Sequence, residues 1–327
     1  MFTLRLGPAA EMGGSMRVIG QERLTDRVGN TPLIGLERLP ARMGIDPAVS
    51  ILIKAEWFNP GGSVKDRAAL RIIEDALADG RLRPGMTIMD ATSGNTGIAY
   101  AMIGAARGFP VTLVLPGSCS EERKRILHAY GVNLILSDPY EGSDGAIILA
   151  RQMAAEDPER YFYADQYSSP SNLYAHYDGT GPEILAQTNG EITHFVACLG
   201  TSGTMMGTGR RLKEYNPGIQ LVAVQPDDQF HGLEGLKHMD SSIVPAIYDP
   251  SLIDRFVEVQ TEESYDMARR LAQEEGLFVG QSAGAAVLAA IRVGQELDKG
   301  VVVVLVPDGG DKYLSTALWR PDDQPEH

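Results

Sequence analysis

The lysine in Asn59-Pro-Gly-Gly-Ser-Val-Lys65-Asp-Arg67 sits where an amine can become a nucleophile. Pro60-Gly61-Gly62 breaks any regular element, so a turn delivers Ser63 to the start of a helix. Apolar side chains then recur at Val64, Ala68, Ile72, Ala76 and at Ala69, Ile73, Leu77, the spacing of a helix with one buried face. Ser63 with Asp66 three residues on predicts a capping box, with Asp in place of the usual Glu. Lys65 then lies in the first helical turn, where the positive end of the helix dipole disfavours an ammonium. The adjoining glycines let another molecule approach, and a lysine so placed can serve as a neutral amine nucleophile. An ordinary surface lysine on an amphipathic helix has the same local pattern.

Two further stretches offer donors for anions. Thr92-Ser-Gly-Asn-Thr-Gly97 joins an expected strand to an expected helix, the end of an α/β sheet where ligands bind. The amides of Ser93 to Thr96, with their hydroxyls and an amide side chain, suit a carboxylate held against the helix dipole, although a plain tight turn would read alike. Gly200-Thr-Ser-Gly-Thr204 repeats the arrangement as a cup of neutral donors at a helix start, suited to a phosphate. It lacks the Gly-Lys-Ser/Thr ending of a nucleotide P-loop and does not fit GxGxxG. Gly280-Gln-Ser282-Ala-Gly284 fits the G-x-S-x-G of a hydrolase elbow, but that triad needs a later histidine and only the terminal His327 follows. A serine hydrolase is therefore not expected.

The elements that must position these loops alternate. Strands are expected at 49–55, 86–91, 111–115, 132–136, 194–199, 221–225, around 277–279, and at 301–306. Helices are expected at 64–77, 96–107, 120–130, 144–155, 182–187, 204–214, 262–275 and 284–297. This is the alternation of βαβ units around mostly parallel sheets, with Val301 to Val306 buried on both faces. Residues 227–254 carry little periodic signal and read as a long loop with a short helix near Gly235, a kind of segment that is usually functional.

At 327 residues and 43% hydrophobic, the chain is long enough for two domains. A net charge of −14 argues against a nucleic-acid or anionic-membrane partner. No apolar run approaches a membrane span and no secretory leader is evident, so a soluble cytoplasmic protein is expected. The two cysteines, Cys119 and Cys198, are far apart and show no zinc-type spacing. Cys198 reads as a small buried hydrophobe and Cys119 as a free loop thiol. The six histidines fall singly, so no metal site is expected.

Taken together, NPGGSVKDR, TSGNTG, the DQY of Asp165 to Tyr167, GTGPE at 179–183, GTSGT and PDGGDKYLST at 307–316 resemble the fold-type II pyridoxal-phosphate family of cysteine synthases and cystathionine β-synthases. They occur in the family's order and span Asn30 to Thr316. ITHFVACLGTSGTMMGTGR looks like the cysteine synthase M branch that uses O-phosphoserine, and NPGGSVKDRAALRIIEDA looks equally like cystathionine β-synthase. Neither a haem-binding extension nor a C-terminal regulatory module is expected within this length.

The resemblance implies two α/β domains, each a twisted, mostly parallel sheet flanked by helices. The expected division is 56–160 against 20–55 plus 161–320, with arms at 1–19 and 321–327. It implies that Lys65 forms the Schiff base with pyridoxal 5'-phosphate and later shuttles the α-proton. Asn95 would bond the cofactor's ring oxygen, and Gly200, Thr201, Ser202, Gly203 and Thr204 would hold its phosphate. The family's Gly-Gly pair is Ser202-Gly203 here, a tolerable change if φ at Ser202 is negative. Ser282 would face the pyridine nitrogen, and a hydroxyl there need not keep it protonated. Thr92, Ser93, Thr96 and Gln166 would bind the substrate carboxylate.

The implied reaction is β-replacement. O-Acetyl- or O-phospho-L-serine would lose its leaving group to give an aminoacrylate, which sulfide or another sulfur donor attacks to form L-cysteine. Cystathionine formation from serine and homocysteine is the alternative. In the LKHMD stretch, Lys237 stands where the phosphoserine branch has a selecting arginine; a lysine keeps the charge without the bidentate fork. A homodimer and closure of a subdomain around 110–155 are also implied; the sulfur donor stays open among sulfide, thiosulfate and the thiocarboxylate of a sulfur-carrier protein.

Overall fold

A computed structural model describes residues 22–92, 94–116, 121–138, 142–242 and 244–320. Ser93, Cys119 and both expected terminal arms therefore lie outside the described residues or at their margin.

Among the described residues, ten strands form two sheets. They are β1 (Leu33–Gly35), β2 (Val49–Ala55), β3 (Thr87–Ala91), β4 (Val111–Pro116), β5 (Asn133–Ser137), β6 (Tyr161–Tyr163), β7 (His194–Cys198), β8 (Gln220–Pro226), β9 (Arg255–Val259) and β10 (Gly300–Val306). The larger sheet runs β1-β2-β10-β7-β8-β9 and the smaller β5-β4-β3-β6. Every pairing is parallel except β1 against β2. The α-helices of the described residues are α1 (Arg38–Arg42), α2 (Lys65–Ala78), α3 (Asn95–Arg107), α4 (Glu121–Ala129), α5 (Gly142–Glu156), α6 (Pro170–Ala175), α7 (Gly181–Gln187), α8 (Gly203–Tyr215), α9 (Thr261–Arg270) and α10 (Gln281–Gly294).

Strand periodicity sorts the core. In β10, Val302, Val304 and Val306 join the cluster under α10, while Val303 and Leu305 join the opposite cluster under α8. Fully burying such a side chain stabilises by about 1.5–3 kcal/mol. The smaller sheet does the same. Ile88 and Leu113 face α2 and α3, whereas Met89 and Val114 face α5. Ala69, Ile72, Ile73 and Ala76 of α2 belong to that first cluster, so the helix carrying Lys65 is packed on the smaller sheet.

Several local expectations are corrected. The chain extends the smaller sheet past residue 160, because Tyr161–Tyr163 pair with Thr87–Met89. The stretch 277–279 forms no strand: β10 already has β2 and β7 on its flanks, and only Val279 bridges Gly309 beyond the end of β10. Near Gly235 there is a turn, and a short 3-10 helix comes later at Met239–Ser241. The expected 262–275 helix ends as α9 and continues as a π-helical turn, Leu271–Glu275. No helix among the described residues is long and apolar enough to cross a membrane.

Candidate active site

The turns that follow β2, β3, β6, β7 and β10 converge on one cavity of about 620 Å³. Lys65 opens α2 in its wall, and Val64 N–H donates to Pro307 O at 2.8 Å, tying the turn before it to the end of β10. The expected capping box is not made. Ser63 bridges Asp308, and Asp66 instead accepts from the buried Gly61 N–H at 2.5 Å. Burial pushes the Asp66 carboxyl up to about 7. Burial also lowers the Lys65 ammonium below its ordinary value, opposed mainly by the charge of Asp308. Among the described residues Lys65 makes no ion pair, so the fold favours a neutral amine facing the cavity.

Around that amine the structure gathers Thr92, Asn95, Thr96, Gln166, Gly200, Thr201, Thr204, Lys237 and Ser282. Ser202 and Gly203, between Thr201 and Thr204, are buried and do not line the cavity, and Ser93 lies outside the described residues. Thr96 hydroxyl donates to Gln166 Oε1 at 2.7 Å, so the Gln166 amide turns its NH₂ away from that contact. Asn172 donates to Gln166 O and to Thr201 Oγ1, both at 2.9 Å, joining the 166 loop to the 200–204 loop. Gly203 makes this joint possible, because a Cβ there would stand 2.1 Å from Asn172 Oδ1.

Asn172 and His176 escaped sequence reasoning, although their i, i+4 spacing on a buried helical face was a usable signal. His176 Nδ1 lies 2.9 Å from the Thr180 hydroxyl, and Nε2 lies 3.3 Å from that of Thr204. Burial, with the nearby Arg67 charge, holds this imidazole down to about 3. A neutral ring can donate to one threonine and accept from the other, which fixes the Thr204 hydroxyl at the cavity wall. Cys198 is half-buried in that wall and donates its thiol to Ser282 O at 3.3 Å rather than serving only as core. Burial pushes its thiol up to about 12, which leaves it unreactive at neutral pH. No histidine is among the described residues lining the cavity, consistent with Ser282 not being a hydrolytic nucleophile.

The expectation of negative φ at Ser202 is overturned: φ is +62°. Left-handed backbone costs a non-glycine residue about 1–2 kcal/mol. The Ser202 Oγ is buried and finds no hydrogen-bond partner among the described residues, at the N-terminus of α8. A strained residue holding an orphaned hydroxyl at a helix start suits a phosphate acceptor. Ser202→Gly is expected to raise the cofactor-free chain's stability by about 1 kcal/mol and to weaken pyridoxal-phosphate binding several-fold. Thermal unfolding with and without the cofactor tests this; lower stability without it would refute the strain.

A family described as pyridoxal-phosphate dependent enzyme matches residues 24–308. The chain belongs to that family. A cysteine synthase of Aquifex aeolicus (strain VF5) is 54% identical over 307 residues, 93% of this chain and 94% of that protein. Cysteine synthase B of Pseudomonas aeruginosa is 45% identical over 298 residues, 91% of this chain and 97% of that protein. Among solved structures, cysteine synthase from Entamoeba histolytica superposes with a TM-score of 0.88 at 35% identity, covering 98% of this chain and 96% of that one. An O-ureido-L-serine synthase superposes with a TM-score of 0.87 at 38% identity, covering 94% and 97%. The two-sheet architecture is thus that of fold-type II pyridoxal-phosphate enzymes, and pyridoxal phosphate is the cofactor.

Proposed function

We propose that this enzyme makes L-cysteine by β-replacement on an O-activated L-serine. The observation that carries the reading is the convergence of a half-buried amine, without an ion pair among the described residues, and two sets of anion donors on one cavity. Bound pyridoxal phosphate supplies the electron sink that makes the α-proton acidic and the β-substituent a competent leaving group. The residues do the rest. Gly200, Thr201, Ser202, Gly203 and Thr204 hold the phosphate with N–H and O–H donors and the dipole of α8. Thr92, Ser93, Thr96 and Gln166 bind the substrate carboxylate and present its α-carbon to Lys65. With the cofactor in place, the amine of Lys65 would anchor it and would be the base that takes the α-proton. The β-carbon–oxygen bond would break with its electron pair leaving on acetate or phosphate; hydrosulfide would then form the carbon–sulfur bond as Lys65 returns the proton to the α-carbon. Ser282 would offer a neutral hydroxyl to the pyridine nitrogen, which favours elimination over transamination.

Lys237 supports the phosphoserine-using branch. Its Nζ stands 5.0 Å over the Tyr167 ring, its backbone N–H is tied to Leu199 O at 2.8 Å, and it lines the cavity. A cation held there meets a dianionic leaving group more strongly than a neutral acetyl ester. The homodimer is part of the same proposal and rests on the family resemblance; a cytoplasmic setting and, as one candidate sulfur donor, a sulfur-carrier protein are proposed with it.

The assay is L-cysteine formation from sulfide with O-acetyl-L-serine or O-phospho-L-serine. No L-cysteine from either donor would overturn the reading, and turnover only of serine with homocysteine would replace it with cystathionine synthesis. Lys237→Ala is expected to lower kcat/KM for O-phosphoserine by about tenfold while changing that for O-acetylserine less than threefold. Equal losses with both donors would remove Lys237 as a selector.

A further inference from the structure

The motif Pro307 to Thr316 has no role so far, yet it reaches the cofactor-facing amide of Asn95 from the other sheet. Asn95 begins α3 beside the smaller sheet; Asp308, Lys312 and Tyr313 follow β10 of the larger. Lys312 Nζ donates to Asn95 Oδ1 at 3.0 Å and to the carbonyl oxygens of Gly61 at 3.1 Å and Gly62 at 3.2 Å. Those three acceptors use all three ammonium protons. Asn95 Nδ2 donates to Asp308 Oδ2 at 2.7 Å, and the Tyr313 hydroxyl donates to the same oxygen at 2.5 Å. All three partners are buried.

An ammonium can only donate and a carboxylate can only accept, so this pair admits one orientation of the Asn95 amide. A flipped amide would set its NH₂ against Lys312 and its oxygen against Asp308, losing both bonds in a buried site where unpaired groups are costly. Space for the relay is reserved by Gly280, where a Cβ would stand 2.3 Å from Asp308 Oδ1 and 2.6 Å from the Tyr313 ring. The first glycine of the G-x-S-x-G stretch is thereby explained without a nucleophile. Lys312 also holds the 61–62 turn that leads into Lys65.

We infer that Lys312, Asp308 and Tyr313 are positioning residues that lock the Asn95 amide with one N–H left for an acceptor on the bound cofactor. The inference rests on the pyridoxal-phosphate reading above. The readout is cofactor affinity, measured by absorbance titration of the cofactor-stripped chain, in Asn95→Ala, Lys312→Met and the double variant. Each single change is expected to weaken binding about tenfold. Because Lys312 acts through Asn95, its removal in the Asn95→Ala background is expected to cost less than threefold. Equal losses from Lys312→Met in both backgrounds would overturn the relay, as would unchanged affinity in Lys312→Met. Should Lys312→Met fail to fold, Tyr313→Phe carries the same test, with a two- to fivefold loss that vanishes in Asn95→Ala; the same loss in both backgrounds would overturn the relay. A parent chain that binds no cofactor would overturn the functional reading itself, a result distinct from the others.

Discussion

Lys65→Met is expected to abolish L-cysteine formation, lowering turnover by about 10³-fold or more, and to remove the visible absorption band of the bound cofactor. No other described lysine both lines the cavity and opens a helix there; Lys237, the other lysine in the wall, lies in the loop beyond β8. A band that survives unchanged, or turnover within tenfold of the parent, would place the chemistry elsewhere.

The same substitution is expected to stabilise the cofactor-free chain. Burial lowers the Lys65 pKa, whereas an unfolded lysine titrates near 10.5. Between the lowered folded value and 10.5 the unfolded chain binds more protons than the folded one, so stability rises with pH across that window. Below the folded value the cost of the buried amine is present in full. Methionine removes the titrating group, so its advantage is greatest at low pH and disappears as pH rises past the unfolded value. Urea unfolding near pH 7 and near pH 10 reads this, with a gain on the order of 1 kcal/mol or more expected at pH 7 and a smaller one near pH 10. Equal stability at both would mean that the amine carries no burial cost.

The framework of alternating elements was legible because strand and helix periods are local. β10 is the clearest instance: five consecutive valines and leucines between two neighbours leave no solvent face, and Val302 to Val306 are all buried. β1, β6 and β9 were not read as strands. β1 and β6 are only three residues long, and β9 is an edge strand of the larger sheet with exposed Arg255 and Phe256. Each site loop alone read like a tight turn, and it was the recurrence of glycine, serine and threonine between strand and helix at several places that marked them out. What escaped was the polar scaffolding behind them. Asn95 with Asp308 spans 213 residues, and Asn172 with Thr201 spans 29. Neither pair has a local period, and each polar residue alone looks like an ordinary helix or loop position. The conformation of Ser202 was misread for a related reason: a serine at a helix start is ordinarily an N-cap with extended backbone, and only the cup around it requires the left-handed form.

Arg67→Met is expected to lower unfolding free energy by about 3–5 kcal/mol, the largest effect predicted for any substitution outside the cavity wall. Arg67 lies two residues after Lys65 on α2 and grips two carboxylates, each through two hydrogen bonds. Its contacts to Glu56 are 2.7 and 2.9 Å, and those to Glu183 are both 2.7 Å. Lys54 adds 2.6 Å to Glu183, 2.7 Å to Thr31 O and 2.9 Å to Gln187, so its donors are all used. Asn59 donates to Glu56 and accepts from Gly29 N–H at 2.8 Å. The Gly29 turn, the Asn59 turn, α2 and α7 are thereby clamped at one point, with two cations balancing two anions. Burial alone would push Glu56 and Glu183 up. The cations outweigh it, holding Glu56 below its ordinary value, with Arg67 the chief contributor, and Glu183 down to about 2. Removing the guanidinium strands Glu56, which is 0% exposed, and leaves Lys54 as the chief remaining cation to offset its charge. Its carboxyl must then be protonated or pull water into the core, and either response costs several kcal/mol. Arg67→Lys keeps the charge without the double fork and is expected to recover about half the loss. Because α2 starts at Lys65, the loosened helix should also bind pyridoxal phosphate less tightly, at unchanged Asn95 and phosphate-loop sequence. Urea titration of the three chains, with cofactor affinity measured on each, decides the matter. A loss below about 1 kcal/mol for Arg67→Met would show that the clamp balances its charges without holding the fold.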